Sequence, residues 1–438
     1  MKFNWLIIIV GLLWLPVSCK KNNESPSPAP IVPPIISGIS VTSVTSGTIT
    51  CSVNISSDGG ASVTERGVCW GISPNPTISG EHRANGNGTG SFTSSITGLS
   101  PSSSYFIRAY ATNSAGTRYS DQVTGITSAA VVYAAITDFP SAFSFAKLWK
   151  DGNMTTLGES STYSRAHAVF VTDSFVYVAG TQFIPFGSSN ARIWKNGVGT
   201  YLSQSPYGSV ANCVVVSGTD VYVGGHEFDG QHHYAMIWKN GIGERLTFDI
   251  KHSTVNAIQI VGSDVYAAGY HERVGYTAAT LWKNGVPSYY RGTTVSKASS
   301  VFVAGNDVYL GGYSDDNSSC SVGTIWKNGT PIYLTNGTNC TEVYSLYVSG
   351  TDVYAVGTES SLFPGDVAML WKNGTPVPLS NGSPDAVARS IFVHSNDVYI
   401  VGDVSNGATR SATLWKNGVR STLFNSAGFS EGYSVFVK

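Results

Sequence analysis

Apolar and polar residues along this chain fall into short runs and never into the three-and-four spacing of a helix face. VFV at 301–303 and DVYLGG at 307–312 are typical: a few β-branched or aromatic residues bounded by Gly, Asn, Asp or Ser. Such runs predict strands, and with no long amphipathic stretch present they predict an all-β protein.

From about residue 129 the runs recur in step. The heptads AKLWKDG, ARIWKNG, AMIWKNG, ATLWKNG, GTIWKNG, AMLWKNG and ATLWKNG place Trp at 149, 194, 238, 282, 326, 371 and 415, with spacings of 45, 44, 44, 44, 45 and 44 residues. Tyr133, Tyr177, Tyr222, Tyr266, Tyr309, Tyr354 and Tyr399 repeat in phase with them. That period belongs to propeller blades or solenoid units. Each unit predicts four strands: one like SVFV, one like DVYVGG, one like ATLWK, and a short fourth such as residues 331–334. Asn-Gly before the fourth is the pair a type I′ hairpin turn requires, because both central residues take positive φ. The Trp beside it is expected to cover the seam between neighbouring units. A row of Trp stacking on sugars is the alternative, but uniform residues on tightly turned strands point to packing.

Closure decides between ring and solenoid. The repeats begin on a second strand lacking its first (131–135) and end on a first strand lacking its second (434–437). Joined, the two complete one unit and remove two exposed β edges. The expectation is a seven-bladed β-propeller of four-stranded blades over residues 129–438, closed by the C-terminal strand. The strand order and the paired glycines after the second strand resemble Kelch repeats, with WKNG standing where those carry an acidic YDP element.

Residues 36–128 follow a different grammar. Ile49, Cys51, Val53 and Ile55 alternate with polar residues, and GVCW at 67–70 begins another strand. GLSP at 98–101 followed by YFIRAYATN at 105–113 resembles the E-to-F corner and F strand of fibronectin type III domains. The resemblance implies a β-sandwich serving as a spacer or adhesive stalk, with Tyr105 as the corner tyrosine.

At the N-terminus, Lys2 precedes an apolar run at residues 5–15, too short for the ~20 residues a bilayer span needs, which predicts a signal peptide over residues 1–19. Pro16-Val17-Ser18-Cys19 resembles a bacterial lipobox, with Pro16 where Leu is usual, and the resemblance implies lipidation of Cys19. An ordinary cleaved signal with an incidental Cys19 is the alternative. Residues 20–35 form a polar, Pro-rich linker of the kind that tethers a lipoprotein head. The expected location is the bacterial outer membrane, lipid-anchored and facing the cell surface.

Lys plus Arg (26) nearly cancels Asp plus Glu (27), and no basic stripe appears, so nucleic acid is not an expected partner. An export context permits disulfides. Cys320 and Cys340 flank one hairpin and are expected to bond, whereas Cys51 and Cys69 are either bonded or simply core. No Cys/His spacing suggests zinc.

Seven copies in one chain can be compared with each other. The SGTD and KNG turns hardly vary and are expected on one rim. The segments after VYVGG and those leading into each first strand vary and are expected on the other, where function belongs. The first strand carries a small-variable-small triplet whose middle members, His167, Asn212, Asn256, Ser299, Tyr344, Arg389 and Tyr433, should ring a channel mouth. Cys213, in a column otherwise Ala or Ser, reads as a packed small residue. A second ring follows the VYVGG strand: Thr137, Thr181, His226, Tyr270, Tyr313, Thr358 and Asp403. Phe139, Phe183, Phe186, Phe228, His232, His233, Tyr234, His271, Tyr276 and Phe363 are expected on nearby loops. Aromatic faces and hydrogen-bonding groups around a concavity suit a sugar or peptide, the alternative being loops that merely cap the blades.

The first functional expectation is therefore a non-enzymatic binding protein presenting this face to a glycan or protein. Its ligand-binding candidates are the triplet column together with His226, Tyr270, Tyr313 and Asp403, and no cofactor, metal or catalytic residue is expected. A polysaccharide lyase using His167, Tyr344, Arg389 and Tyr433, or a glycoside hydrolase using two of Glu227, Asp229, Glu272, Asp315, Asp316 and Asp403, is the alternative. His226, His232, His233 and His271 with Glu227 or Glu272 form a weaker metal reading. A purely structural role in the envelope is the remaining one.

Overall fold

The computed structural model describes residues 29–141, 143–158, 162–183, 188–249, 251–315, 320–360, 365–381, 385–405 and 407–438. Cys19, Phe186, Asp316 and Phe363 lie outside them. Every regular element among the described residues is a strand. The chain divides into two compact units, one of residues 1–43, 50–95 and 104–125, the other of residues 44–49, 96–103 and 126–438.

The first unit is built on a three-stranded sheet (Ile35–Val44, Thr48–Ser57 and Gly90–Thr97) and a five-stranded one (His82–Ala84, Glu65–Gly71, Ser104–Asn113, Gly116–Tyr119 and Val123–Ile126). Alternation does what it promised: Cys51, Val53 and Ile55 are buried from one sheet, Val68, Ile107 and Ala109 from the other. Cys51 and Cys69 are free thiols, each pushed up to about 11 by burial. The fully buried tyrosine of the strand Ser104–Asn113 is Tyr110, whose hydroxyl donates to Glu65 at 2.6 Å.

In the second unit, five antiparallel sheets of four strands follow one another, beginning at Ser164, Ser209, Ser253, Ser296 and Cys340. An eight-stranded sheet accounts for the rest. It consists of the run Ala386–His394, Asp397–Ser405, Arg410–Lys416, Val419–Phe424 and the run Phe429–Val437, Val132–Phe139, Phe145–Lys150, Asn153–Thr156, bridged by one parallel pairing of Arg410 with Phe429. Within it, the C-terminal strand Phe429–Val437 pairs antiparallel with Val132–Phe139. Among the described residues no sheet closes on itself.

The first strands are longer than the apolar runs suggest, because each contains a β-bulge. The register slips at Ala166/Ala168, Ala211/Cys213, Val255/Ala257, Ala298/Ser300, Val343/Ser345, Ala388/Ser390 and Gly432/Ser434. A bulge breaks alternation and so reads as the end of a strand. It also explains a glycine that recurs in six of the second strands. At Gly180, Gly225, Gly269, Gly312, Gly357 and Gly402 an added Cβ would lie 1.8 to 1.9 Å from a carbonyl oxygen of the bulged strand.

Sheets meet through side chains. Each Trp packs on the repeat before its own: Trp194 with Ala135 and Ala146, Trp238 with Ala179 and Ala191, Trp371 with Tyr309 and Ile325, and Trp149 with Val401 and Ala412 of the last repeat. Hydroxyls bind the same seams, with the backbone N–H of Ala146, Ala191, Ala235, Ala279 and Ala412 donating to Ser164, Ser209, Ser253, Ser296 and Ser430 at 2.8 to 3.0 Å.

Turn geometry is one reason for the KNG turns. Asn and Gly do take positive φ there (48 to 52° and 80 to 86° in the six NG turns). The same residues also build a polar lock. Asp220, Asp264, Asp307, Asp352 and Asp397 each hold the Lys of WKNG at 2.7 to 2.9 Å. The turn Asn donates to the other carboxylate oxygen at 2.7 to 2.8 Å. Where Phe175 replaces the Asp, Lys195 lies over its ring at 3.7 Å. Where Val131 replaces it, Asp151 stands in the turn and accepts from the N–H of Val132 at 2.9 Å.

Cys320 and Cys340 form a disulfide that ties the loop after one sheet's second strand to the first strand of the next. Replacing both by Ser should lower unfolding free energy by about 3 kcal/mol, read from urea midpoints. Gly357→Ala, driving Cβ into the Glu342 carbonyl, should cost on the order of 3 kcal/mol, while Gly374→Ala, in open space at a turn with φ of 80°, should cost less.

Candidate functional site

The seven residues of the variable column, His167, Asn212, Asn256, Ser299, Tyr344, Arg389 and Tyr433, are the bulge residues themselves. A bulge re-aims one side chain without moving its neighbours. All seven are half-buried. The same local device thus offers five kinds of side chain, His, Asn, Ser, Tyr and Arg, over seven equivalent positions.

Several of these groups also join sheets. His167 Nδ1 lies 2.9 Å from the carbonyl of Ala211, Asn212 donates to Val255 and Asn256 to Ala298, both at 2.9 Å. A carbonyl only accepts, so His167 carries its proton on Nδ1. In the other four seams the residue after the bulge does this work. Ser300, Ser345, Ser390 and Ser434 accept from the N–H of Leu346, Ile391, Val435 and Val169 at 3.0 to 3.4 Å. The last of these bonds runs from the final sheet to the first strand Ser164–Val171. Cys213 occupies this column as a small packed residue, its thiol pushed up to about 12 by burial.

The second set of candidates is split by depth. Thr137, Thr181, Thr358 and Asp403 are buried, whereas His226, Tyr270 and Tyr313 are half-buried. Asp403 is wholly enclosed and held by Arg389 at 2.9 Å and Arg410 at 2.6 Å. Its role here is to fix two guanidiniums, so it is placed to support a surface and not to be one. Tyr433 donates to Glu431 at 2.5 Å and lies 5.1 Å under the Arg389 guanidinium.

Sequence comparison missed a third column, two residues before each bulge, that brings Arg165, Lys297, Glu342 and Glu431 opposite Thr181, Tyr313, Thr358 and Thr137. The readable signal was position: these residues stand at a fixed offset from the variable triplet. Lys297 Nζ sits 4.5 Å from the Tyr270 ring centre.

Burial, with Glu342 nearby, pushes the Tyr344 phenol well up, and burial with Glu431 does the same to Tyr433. Tyr313 is pushed up to about 12, mainly by burial. These phenols stay protonated near neutrality and suit hydrogen-bond donation better than proton abstraction. His226 stacks on His233 at 4.5 Å with the rings nearly parallel. Burial first, then the neighbouring histidines, lowers His226 to about 4. His271 is tied to Asp249 at 2.7 Å, and among the described residues no three His, Cys, Asp or Glu side chains gather to hold a metal. Of the candidate carboxylates, Asp229 accepts from Gln231, His232 and Tyr234, and Asp315 from Thr294, so both brace their own loops.

No family model matches this chain, and no curated protein does. Among solved structures it is similar to a puromycin-hydrolyzing peptidase of Mycobacterium tuberculosis, at 11% identity and a TM-score of 0.42, covering 73% of this chain and 51% of that one. It is also similar to a DUF4784 family protein from Bacteroides caccae, at 11% identity and a TM-score of 0.29, covering 92% and 99%. The chain spans about half the length of the peptidase. Neither likeness bears on what this chain binds or does.

Two outcomes follow from the site. The folded protein resists protonating His226, which the unfolded chain accepts near the ordinary 6.5, so stability is fully present above that pH and falls as pH drops towards 4. Melting temperatures across that range should slope less in His226→Asn. Arg389→Ala, leaving Asp403 buried with one partner fewer, should destabilise by about 3 kcal/mol in urea unfolding.

Proposed function

We propose that residues 129–438 form a seven-bladed, Kelch-like β-propeller closed by the C-terminal strand. Side-chain bonds linking each repeat to the next, the last returning from Ser434 to Val169, support that reading, as do the seven Trp and the pairing of Phe429–Val437 with Val132–Phe139. In the chain it follows a fibronectin type III-like module at residues 36–128 and a lipid anchor at Cys19, which would hold the protein at a bacterial outer membrane.

On this reading the protein is a binding module whose ligand, a glycan or a protein, meets the face bearing the bulge residues. One observation carries it: at a single register the repeats present seven positions filled by His, Asn, Asn, Ser, Tyr, Arg and Tyr, while the opposite rim repeats almost unchanged. Selection for stability alone favours uniformity in both rims, because the packing problem is the same in every sheet.

The test is a glycan array and a pull-down with the whole protein and with Tyr344→Ala plus Lys297→Ala, two half-buried residues outside the Asp403 ion pairs. Capture by the parent and its loss in a variant of unchanged melting temperature are expected. Equal capture by both would sink the assignment of this face. Release of unsaturated sugars absorbing in the ultraviolet would instead make the protein a lyase.

A further inference from the structure

We infer that the variable rim beside the pairing of Phe429–Val437 with Val132–Phe139 carries a subsite for an acidic saccharide, in which Phe143 and Tyr163 receive the sugar face and Arg165 its carboxylate or sulfate. The inference rests on the binding reading above and names its ligand class.

Aromatic side chains are normally the first to be covered, and here they are not. Phe143 and Tyr163 stack at 4.8 Å with 25° between their planes, yet remain 45% and 38% exposed. Tyr163 meets the edge of Phe183 at 5.9 Å. Phe429 is 52% exposed and stands directly opposite Phe139, so both lie on one face of their strand pair. The position just before the buried residue that opens each first strand reads Tyr163, Gly208, His252, Val295, Cys340, Asp385 and Phe429 around the repeats. Tyr or Phe occurs there only in these two adjacent repeats, so the patch is local and not a by-product of the repeat.

Arg165 lies within it. Its guanidinium is exposed, 5.6 Å from the Phe139 ring and 6.0 Å from Phe183, and no carboxylate among the described residues pairs with it. Neighbouring acids are already engaged. Asp138 holds Lys147 at 3.0 Å, Glu431 takes the Tyr433 hydroxyl, and Asp403 holds Arg389 and Arg410. A planar cation left unmatched between aromatic rings calls for an anion on an apolar ring-shaped body. A pyranose offers C–H faces to the aromatics, and only an acidic one also answers the guanidinium. A neutral sugar would leave the charge unmet. An amphipathic helix would need an aliphatic groove, which these aromatic and cationic side chains do not build.

The experiment measures binding of the whole protein to polygalacturonate, alginate and chondroitin sulfate by affinity electrophoresis, with dextran and polyglutamate as controls. At least one acidic polysaccharide should bind, more weakly as salt rises, with dextran unbound and polyglutamate much weaker. Tyr163→Ala and Arg165→Gln should each weaken binding about tenfold at an unchanged melting temperature, and Arg165→Lys should keep most of it. Binding to none of the three polysaccharides, equal binding of dextran or polyglutamate, or full-strength binding by both variants would overturn the inference. If Tyr344→Ala plus Lys297→Ala abolishes capture while the Tyr163 and Arg165 variants keep it, the subsite fails and the wider reading stands. The reverse pattern places the ligand at the subsite and removes the mouth.

Discussion

The C-terminal unit depends on one antiparallel pairing, that of Phe429–Val437 with Val132–Phe139. Without it both strands would expose unpaired backbone, Trp149 would lose its cover of Val401 and Val435, and Ser434 would lose its bond to Val169. Open β edges recruit other chains, so the same pairing that completes a repeat also removes a hazard. Its bulge, between Gly432 and Ser434, matches those of the other repeats, which lets Tyr433 stand in the same column as His167.

The two rims divide the work by how they treat polar atoms. On one, Asp, Lys and Asn recur in five repeats as a lock that each closes for itself, so few polar groups are left over there. On the other, the bulge sets a position but leaves its occupant free. Where the occupant is His167, Asn212 or Asn256 it doubles as a link to the next sheet, and the following residue is Ala168, Cys213 or Ala257. Where the occupant is Ser299, Tyr344, Arg389 or Tyr433, a serine behind it makes the link. That exchange releases four of the seven positions from making the link to the next sheet.

Much of the fold was legible because repetition amplifies local signals. Seven Trp at an even spacing and six Asn-Gly pairs need no knowledge of partners. The bulge was hidden for the opposite reason: it is a relation between two strands, and in one strand alone it looks like the end of an apolar run. The lock of Asp220 with Lys239 and Asn240 was similarly obscure, since its members are some twenty residues apart and meet only when the third strand returns beside the second. The candidate column could be found by comparing copies, yet its partners could not. Asp403 looked like a rim carboxylate and is an enclosed anchor for two arginines, because burial depends on the loops above it and not on its place in the repeat.

The partners Val132 and Val437 lie about 300 residues apart in the chain. Bringing such distant segments together is an entropic burden that local hairpins do not share, and it is met only once every intervening repeat has been made. During synthesis, then, the strand Val132–Phe139 waits with a bare edge for the whole interval, which makes the nascent chain a natural client of holding chaperones.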